Sequence, residues 1–109
     1  MSVTAYRVNV SARAQRDLER ISDRIHAADS QAAATWLGQL VDAMVSLERF
    51  PRRGTITAED RRLRQLLYGR RPDVYRIIYA VVRPTKVVDV LHVRHGAQDS
   101  FEATNLDVE

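Results

Sequence analysis

The first part of the chain changes from a strand-like to a helix-like spacing of apolar residues. Tyr6, Val8 and Val10 occupy every second position, which is the period of a half-buried β-strand. Ser11 follows and is typical of a helix N-cap, because its hydroxyl can accept a hydrogen bond from a free amide of the first turn. The pattern therefore predicts a short strand and then a first helix over about 12–27, on the apolar positions Ala14, Leu18, Ile21 and Ile25.

A second helix is predicted over about 31–49. Asp29 and Ser30 provide its N-cap signal, and Pro51 ends it because proline lacks the amide hydrogen that a helix needs. About two to four residues separate the two predicted helices, so we expect them to lie antiparallel as a hairpin. The apolar stripe of this second helix consists of Ala33, Trp36, Leu37, Leu40, Met44 and Leu47.

The rest of the chain favours strands. Residues 51–62 form a polar loop, residues 63–68 form a short apolar stretch, and the segments 74–82 and 87–95 are rich in β-branched residues and flank a turn. These last two segments should form a hairpin. The order β-α-α-β-β-β predicts an α+β fold, with an antiparallel-rich sheet of about four strands and a helical hairpin packed on one face. The opposite face of the sheet should then stay partly open.

Length and composition limit the classes of protein to which the chain can belong. Its 109 residues suit one domain over 1–109, and 45% apolar with 28% charged residues is typical of a globular chain. The absence of cysteine excludes disulfides, thiol nucleophiles and cysteine metal sites. We find neither an apolar run long enough for a membrane span nor a secretion signal, so we expect a cytoplasmic protein with no membrane partner. We expect the acidic tail, residues 97–109, to be flexible.

The net charge of +3 is unevenly distributed along the chain. Residues 1–48 carry five basic and six acidic groups, residues 49–86 carry eleven and three, and residues 87–109 carry one and five. All the basic residues except Lys86 are arginines, whose planar guanidinium suits phosphate or carboxylate groups. The basic middle of the chain indicates either an anionic partner or a solvated arginine-rich surface, and its charge alone favours neither.

The sequence offers little support for a metal or cofactor site. His92 and His95 are three positions apart, which on a strand directs their side chains to opposite faces. The chain also has no glycine-rich phosphate loop and no hydrolase motif. We therefore expect neither a metal nor a cofactor.

The register of the predicted hairpin groups several side chains. A two-residue turn places Arg76 opposite Val93 with His95 diagonal to it, so that Arg76, Asp89 and His95 share the open face. A β-bulge or a one-residue slip would undo this grouping. In the alternative interpretation, Arg76 is a structural residue that forms an ion pair with Asp89 or Asp73.

Four segments resemble the RelE/ParE superfamily, the toxins of bacterial type II toxin–antitoxin modules. They are VSARAQRDLERISDRI in the first helix, SLERFPRRG at the end of the second, and VYRIIYAV and VDVLHVRHGAQD in the last two strands. They lie within residues 6–99 and follow the order of the family. The resemblance implies the RelE/ParE-like fold and a toxin that is neutralised by a cognate antitoxin, encoded by a neighbouring gene. It also implies growth inhibition and plasmid stabilisation as biological roles.

The two branches of the superfamily differ in chemistry. RelE-like members cleave messenger RNA on the ribosome, and the resemblance implies catalytic roles for Arg76, in the family's YRxxY motif, and His95, in its HG segment. However, Gln98 stands where a basic residue often follows, and Phe101 lacks the hydroxyl of the tyrosine found near the C-terminus of many nucleases. This incomplete set favours the ParE-like branch, whose members inhibit DNA gyrase and block replication as binding proteins.

The ParE-like hypothesis assigns target binding to the arginines rather than to a catalytic centre. We also expect the antitoxin to contribute an acidic, partly disordered segment that folds on binding, with a helix along the helical hairpin and an extended part reaching the sheet. A further alternative is a non-enzymatic nucleic-acid-binding domain, although the chain shows no clear stacking aromatics. The candidate target-binding residues are Arg52, Arg53, Arg70, Arg71, Arg76 and Arg94.

Overall fold

The computed structural model describes residues 5–96 and has an α+β fold. Two helices, α1 (Ala12–Arg24) and α2 (Gln31–Val45), lie between the first and second strands, and a single 3-10 turn, Ser46–Glu48, follows α2. The predicted acidic tail and the positions of Gln98 and Phe101 lie outside the described residues. The strands are β1 (Arg7–Val10), β2 (Thr55–Ile56), β3 (Arg64–Arg70), β4 (Asp73–Val82) and β5 (Val87–His95).

The strands form one sheet in the order β1-β5-β4-β3-β2. Only the β1–β5 pair is parallel, and the other three neighbouring pairs are antiparallel, so the predicted antiparallel-rich sheet is confirmed. The structure has five strands rather than about four. The additional strand, β2, consists of Thr55 and Ile56 and pairs with the start of β3. Two residues are too few to show an alternating pattern, so the sequence pattern predicts a loop in this region.

Both predicted helix starts are confirmed. The Ser11 hydroxyl accepts a hydrogen bond from the amide of Ala14 at 3.0 Å, and the Ser30 hydroxyl accepts one from the amide of Ala33 at 3.2 Å. Helix α1 ends three residues earlier than expected. His26 adopts a left-handed backbone with φ of 57°, and this conformation terminates the helix. Helix α2 and its 3-10 turn together end close to the predicted position.

The main hydrophobic core lies between the sheet and the two helices. Helix α1 packs over β5 and α2 packs over β3. On the hairpin, Ile77, Tyr79, Val88 and Val90 are fully buried in this core. From the helical side, the buried residues of this core are Ala14, Ile21, Leu40, Met44 and Leu47.

The opposite face of the sheet is only partly covered. A small second cluster is built on buried Leu63 and Ile78, with Ala80 and Leu91 packed against it. Beside it, Leu67 remains 57% exposed. Neither described helix is long and apolar enough to cross a membrane.

A β-bulge changes the predicted register in the middle of the hairpin. From the turn to Tyr79, which pairs with Val90, the register is as predicted, but Ile78 then pairs with His92. Arg76 therefore faces Arg94 rather than Val93, and the prediction of that pair is wrong. The bulge inserts an extra residue into β5, which inverts the alternation of side chains beyond it.

The same shift separates His95 from Arg76. His95 pairs with Tyr75, which belongs to the core under the helices, whereas Arg76 belongs to the opposite, open face. Asp89 lies nearer the turn, opposite Ala80, where its carboxylate accepts a hydrogen bond from Asn9. The prediction is therefore wrong for His95, whereas Asp89 lies on the open face as predicted, opposite Ala80.

Candidate anion-binding site on the open sheet face

Arg76 is the centre of the candidate site. It lies in the middle of the sheet on β4, on the open face, and is only 9% exposed. Its Nη1 and Nη2 donate to the two carboxylate oxygens of Glu59, at 2.8 and 2.7 Å, and its Nε donates to the amide oxygen of Gln65 at 2.8 Å. A buried guanidinium needs such partners, because leaving it unpaired would cost several kcal/mol, on the order of 3–5.

Sequence reasoning anticipated an ion pair at Arg76 but named the wrong partners. Asp73 lies 3.7 Å from the Nε2 of His95, and Asp89 accepts from Asn9. The observed partner, Glu59, lies 17 residues before Arg76, in the loop between β2 and β3. No local pattern links two positions so far apart, which explains why the sequence did not reveal this pair.

The loop that carries Glu59 is a compact turn. The Thr57 hydroxyl donates to the carbonyl of Asp60 at 2.8 Å, and the Thr57 amide donates to the carbonyl of Leu63 at 2.9 Å. The Asp60 carboxylate accepts hydrogen bonds from Arg62, which lower the pKa of Asp60 to about 2. These contacts fix the backbone on both sides of Glu59 and direct its side chain towards Arg76.

A cavity of about 790 Å³ borders this ion pair, a volume that suits a bound ligand group. It combines one buried and one exposed guanidinium with an apolar wall. The cavity can therefore hold an anionic group that has an apolar neighbour. Its lining includes Glu59, Leu67, Arg71, Pro72, Val74 and Arg76.

His95 also borders this cavity, at the end of β5. Its ring is 6% exposed and packs edge-on against the ring of Tyr75, with 5.3 Å between centroids and an interplanar angle of 85°. Tyr75 in turn contacts Trp36 of α2. The histidine ring is therefore part of the packing under the helices.

The other candidate arginines do not form one patch. Arg52 and Arg53 are exposed just before β2, whereas Arg70 and Arg71 are exposed at the connection between β3 and β4. Strand β3 has seven residues, so about 20 Å separates its two ends. Arg94 lies opposite Arg76 in the register of the hairpin.

The structure groups a second set of arginines, of which only Arg52 was a candidate from the sequence. They surround a depression of about 390 Å³ near the start of β3. Among them, Arg64 donates to the carbonyl of Gly54 at 2.8 Å, which holds its side chain in place. The pair at 61–62 was visible in the sequence, but its proximity to Arg83 depends on strand pairing. The arginines lining the depression are Arg52, Arg61, Arg62, Arg64 and Arg83.

A buried polar contact joins α1 to the bulged part of β5. The Asp17 carboxylate accepts a hydrogen bond from the amide of Val93 at 2.9 Å and lies 3.9 Å from the Nδ1 of His92. It compensates for the interrupted ladder at the bulge, which is a structural role. Within residues 5–96, no group of three or more histidines and carboxylates is arranged to hold a metal ion.

Comparison with known proteins gives a consistent picture. A family model described as the ParE toxin of the parDE type II toxin–antitoxin system matches residues 8–100. No curated protein matches the chain at a significant level.

Solved structures of toxin–antitoxin proteins share the fold. A chromosomal ParDE system from P. aeruginosa matches with a TM-score of 0.68 and 18% identity, over 85% of this chain and 98% of that one. A mutant of the E. coli toxin RelE in the free state matches with a TM-score of 0.60 and 18% identity, over 96% and 93%. The RelBE2 toxin–antitoxin complex from Mycobacterium tuberculosis matches with a TM-score of 0.58 and 26% identity, over 84% and 98%.

Proposed function

The chain belongs to the ParE toxin family of type II toxin–antitoxin systems, and from that premise we propose that it inhibits DNA gyrase and thereby blocks replication. It is a toxin of the RelE/ParE superfamily, and a cognate antitoxin is its partner. The proposal places the toxin in the cytoplasm with gyrase. It also implies that loss of the antitoxin inhibits growth, which is how such a module stabilises a plasmid.

Arg76 and His95 both border the cavity, and the observation that carries the choice of gyrase is that each side chain is held there by other residues. A nuclease has to place a proton acceptor and a cation around the 2′-hydroxyl and the phosphate of one nucleotide. The bulge places His95 opposite Tyr75 in the core, and the guanidinium of Arg76 is held by Glu59 on the other face. This arrangement supports a binding protein more than an RNA-cleaving enzyme.

The proposal is tested with purified toxin and purified gyrase. We expect the toxin to inhibit supercoiling and to leave cleaved DNA with gyrase, while ribosome-bound messenger RNA stays intact. Cleavage of that RNA, lost in both Arg76→Ala and His95→Ala, would instead support the RelE-like alternative, which the cavity shared by the two residues allows. Direct, steeply salt-dependent binding to naked DNA without gyrase inhibition would support the nucleic-acid-binding alternative.

Substitution of the two separate arginine pairs tests which end of β3 contacts the target. We expect Arg70→Gln with Arg71→Gln to slow association with gyrase about tenfold at low salt, because Arg71 borders the cavity of Arg76. The matched variant, Arg52→Gln with Arg53→Gln, removes the same charge at the other end of β3. An equal loss in both variants would indicate general electrostatic steering rather than a contact at one end.

Helix α2 supports the proposal of an antitoxin helix on the helical side of the toxin. Val41 and Val45 are four residues apart on one side of α2 and remain 37% and 45% exposed, and Phe50 beyond the helix is 63% exposed. A Cβ at Gly38, about one turn before Val41, would have no atom within 4 Å, so this surface accepts close packing. Exposed apolar residues at this spacing suit the apolar side of a partner helix.

Charged substitutions on α2 test that docking surface. We expect Val41→Lys with Val45→Lys to weaken binding of the antitoxin by at least about 100-fold without unfolding the toxin, since both side chains are partly exposed. Gln31→Lys, at the exposed start of the same helix, is the control. Unchanged antitoxin affinity in the double variant would place the antitoxin helix elsewhere.

A further inference from the structure

We propose that the cavity around Arg76 binds a carboxylate from an acidic segment of the antitoxin, and that Glu59 occupies this site in the isolated chain. The identity of the partner rests on the proposed function, whereas the site itself rests on geometry alone. Glu59 is then an internal competitor, and the antitoxin has to displace it.

The geometry at Arg76 is that of a carboxylate receptor. Both outer nitrogens of the guanidinium engage the two oxygens of Glu59, at 2.7 and 2.8 Å, which is the parallel two-bond arrangement that suits a planar carboxylate. Gln65 holds the third donor, Nε, at 2.8 Å and so fixes the plane of the guanidinium. A carboxylate from another chain can use the same two bonds without any movement of Arg76.

The cation of this pair is fixed, whereas its anion is exchangeable. Arg76 lies in the middle of β4, between β3 and β5. Glu59 lies in a loop, where the turn is closed by the hydroxyl of Thr57 and the backbone of Asp60 and Leu63. Those hydrogen bonds do not use the Glu59 side chain, so the turn does not depend on the contact between Glu59 and Arg76.

The surroundings of Arg76 indicate the chemistry of the incoming segment. The cavity wall carries Leu67 and Val74 and a second cation, Arg71. Leu67 is 57% exposed, so an incoming apolar side chain would cover it. An acidic residue beside an apolar residue matches this wall, and the basic middle of the chain attracts an acidic segment over a longer range.

The site is tested first with a small probe, N-acetyl-glutamyl-leucinamide, titrated into isotope-labelled toxin and followed by NMR. Glu59→Gln removes the competing charge but keeps a hydrogen-bond acceptor beside Arg76. We expect it to bind the probe at least about tenfold more tightly than the unmodified toxin, with signal changes at residues lining the cavity. Glu19→Gln is the matched control, because it makes the same change at an exposed position of α1 that does not line the cavity. It should bind the probe like the unmodified toxin.

Several outcomes would overturn the proposal. They are equal probe affinity in Glu59→Gln and the unmodified toxin, undiminished binding when Arg76→Met is added to Glu59→Gln, or tighter binding of inorganic phosphate than of the probe. Should Glu59→Gln fail to fold, Glu59→Asp retracts the same charge by one methylene, and we expect intermediate probe binding. No gain with that variant would contradict the proposal.

The cognate antitoxin supplies the second measurement. We expect Glu59→Gln to bind the antitoxin about tenfold more tightly than the unmodified toxin, and to lose that gain when Arg76→Met is added. Tighter probe binding with unchanged antitoxin affinity would overturn the assignment of the partner. Failure to inhibit gyrase would refute the proposed target and leave the probe result standing, so the two failures are distinguishable.

Discussion

The two faces of the sheet differ in how the residues of the same strands are buried. On the helix-covered face, Ile77 and Tyr79 of β4 are fully buried in one continuous core. On the open face, Ile78 of the same strand is buried in a much smaller cluster. Arg76, the neighbouring position of β4 on this face, is charged. The buried residues of β4 are therefore covered in two different ways. Apolar packing under the helices covers those on one face, and a loop with an ion pair covers those on the other.

This difference indicates that one face of the sheet contributes mainly to stability and the other mainly to binding. The helix-covered face holds a large apolar cluster that two helices remove from water, with the Asp17 carboxylate bound to β5 beside it. The open face keeps exposed Leu67 beside a buried cation, and the loop that carries Glu59 lies over that cation. We expect substitutions on the first face to change mainly the free energy of unfolding, and those on the second to change mainly binding.

The largest expected effect is on the free energy of unfolding, in a comparison of substitutions at Ile77 and Ile78. Both side chains are fully buried, but Ile77 packs in the large core and Ile78 in the small cluster. We expect Ile77→Ala to lower the free energy of unfolding by about 4 kcal/mol and Ile78→Ala by about 2 kcal/mol, because the loop can close around the smaller cavity. Urea unfolding at neutral pH measures both. Equal losses would mean that the loop packs as firmly as the helices do.

An intermediate effect is expected at Tyr79, which connects the core to the loop before β2. Its hydroxyl accepts a hydrogen bond from the amide of Gly54 at 3.0 Å, and both residues are buried. Tyr79→Phe leaves that amide without its acceptor, and we expect it to cost about 1–3 kcal/mol at neutral pH. A Cβ at Gly54 would clash with the carbonyl group of Gln65 and with the Tyr79 hydroxyl, so this close approach requires glycine.

The same tyrosine makes stability depend on alkaline pH. Burial raises the pKa of Tyr79 above its ordinary value, so the unfolded chain loses this proton first. The contribution of protonated Tyr79 to the free energy of unfolding is therefore fully present below pH about 10. It is lost as the pH rises towards the higher pKa of the folded state. Between pH about 9 and about 11, we expect the free energy of unfolding of Tyr79→Phe to decline less steeply than that of the unmodified protein. Parallel declines would contradict this role for Tyr79.

The smallest expected effect comes from adjacent leucines on β3. Leu66 pairs with Ile77 and is 9% exposed, whereas Leu67 pairs with Arg76 and is 57% exposed. We expect Leu67→Ala to change the free energy of unfolding by no more than about 0.5 kcal/mol, against about 2–3 kcal/mol for Leu66→Ala. Thermal unfolding of the two variants checks this. A large loss at Leu67 would mean that the open face contributes to folding as the covered face does.

Local patterns in the sequence determined the elements of the fold. The serine caps at Ser11 and Ser30, the apolar stripes of both helices and the two long strands at 74–82 and 87–95 were all predictable. Each of these signals depends on residues within a few positions of one another, where backbone hydrogen bonding and the periodicity of side chains act directly.

Tertiary structure decided the arrangement of the candidate site. The bulge at Ile78 and Tyr79 comes from how β4 and β5 pair, and one added residue was enough to place His95 on the face opposite Arg76. The partner of Arg76 depends on a loop that folds back over the sheet and brings Glu59 across 17 positions of sequence. Arg76 was predictable as a buried or partnered cation, because an arginine within an apolar strand needs a counter-charge. Which carboxylate supplies that charge depends on three-dimensional proximity, which no local pattern encodes.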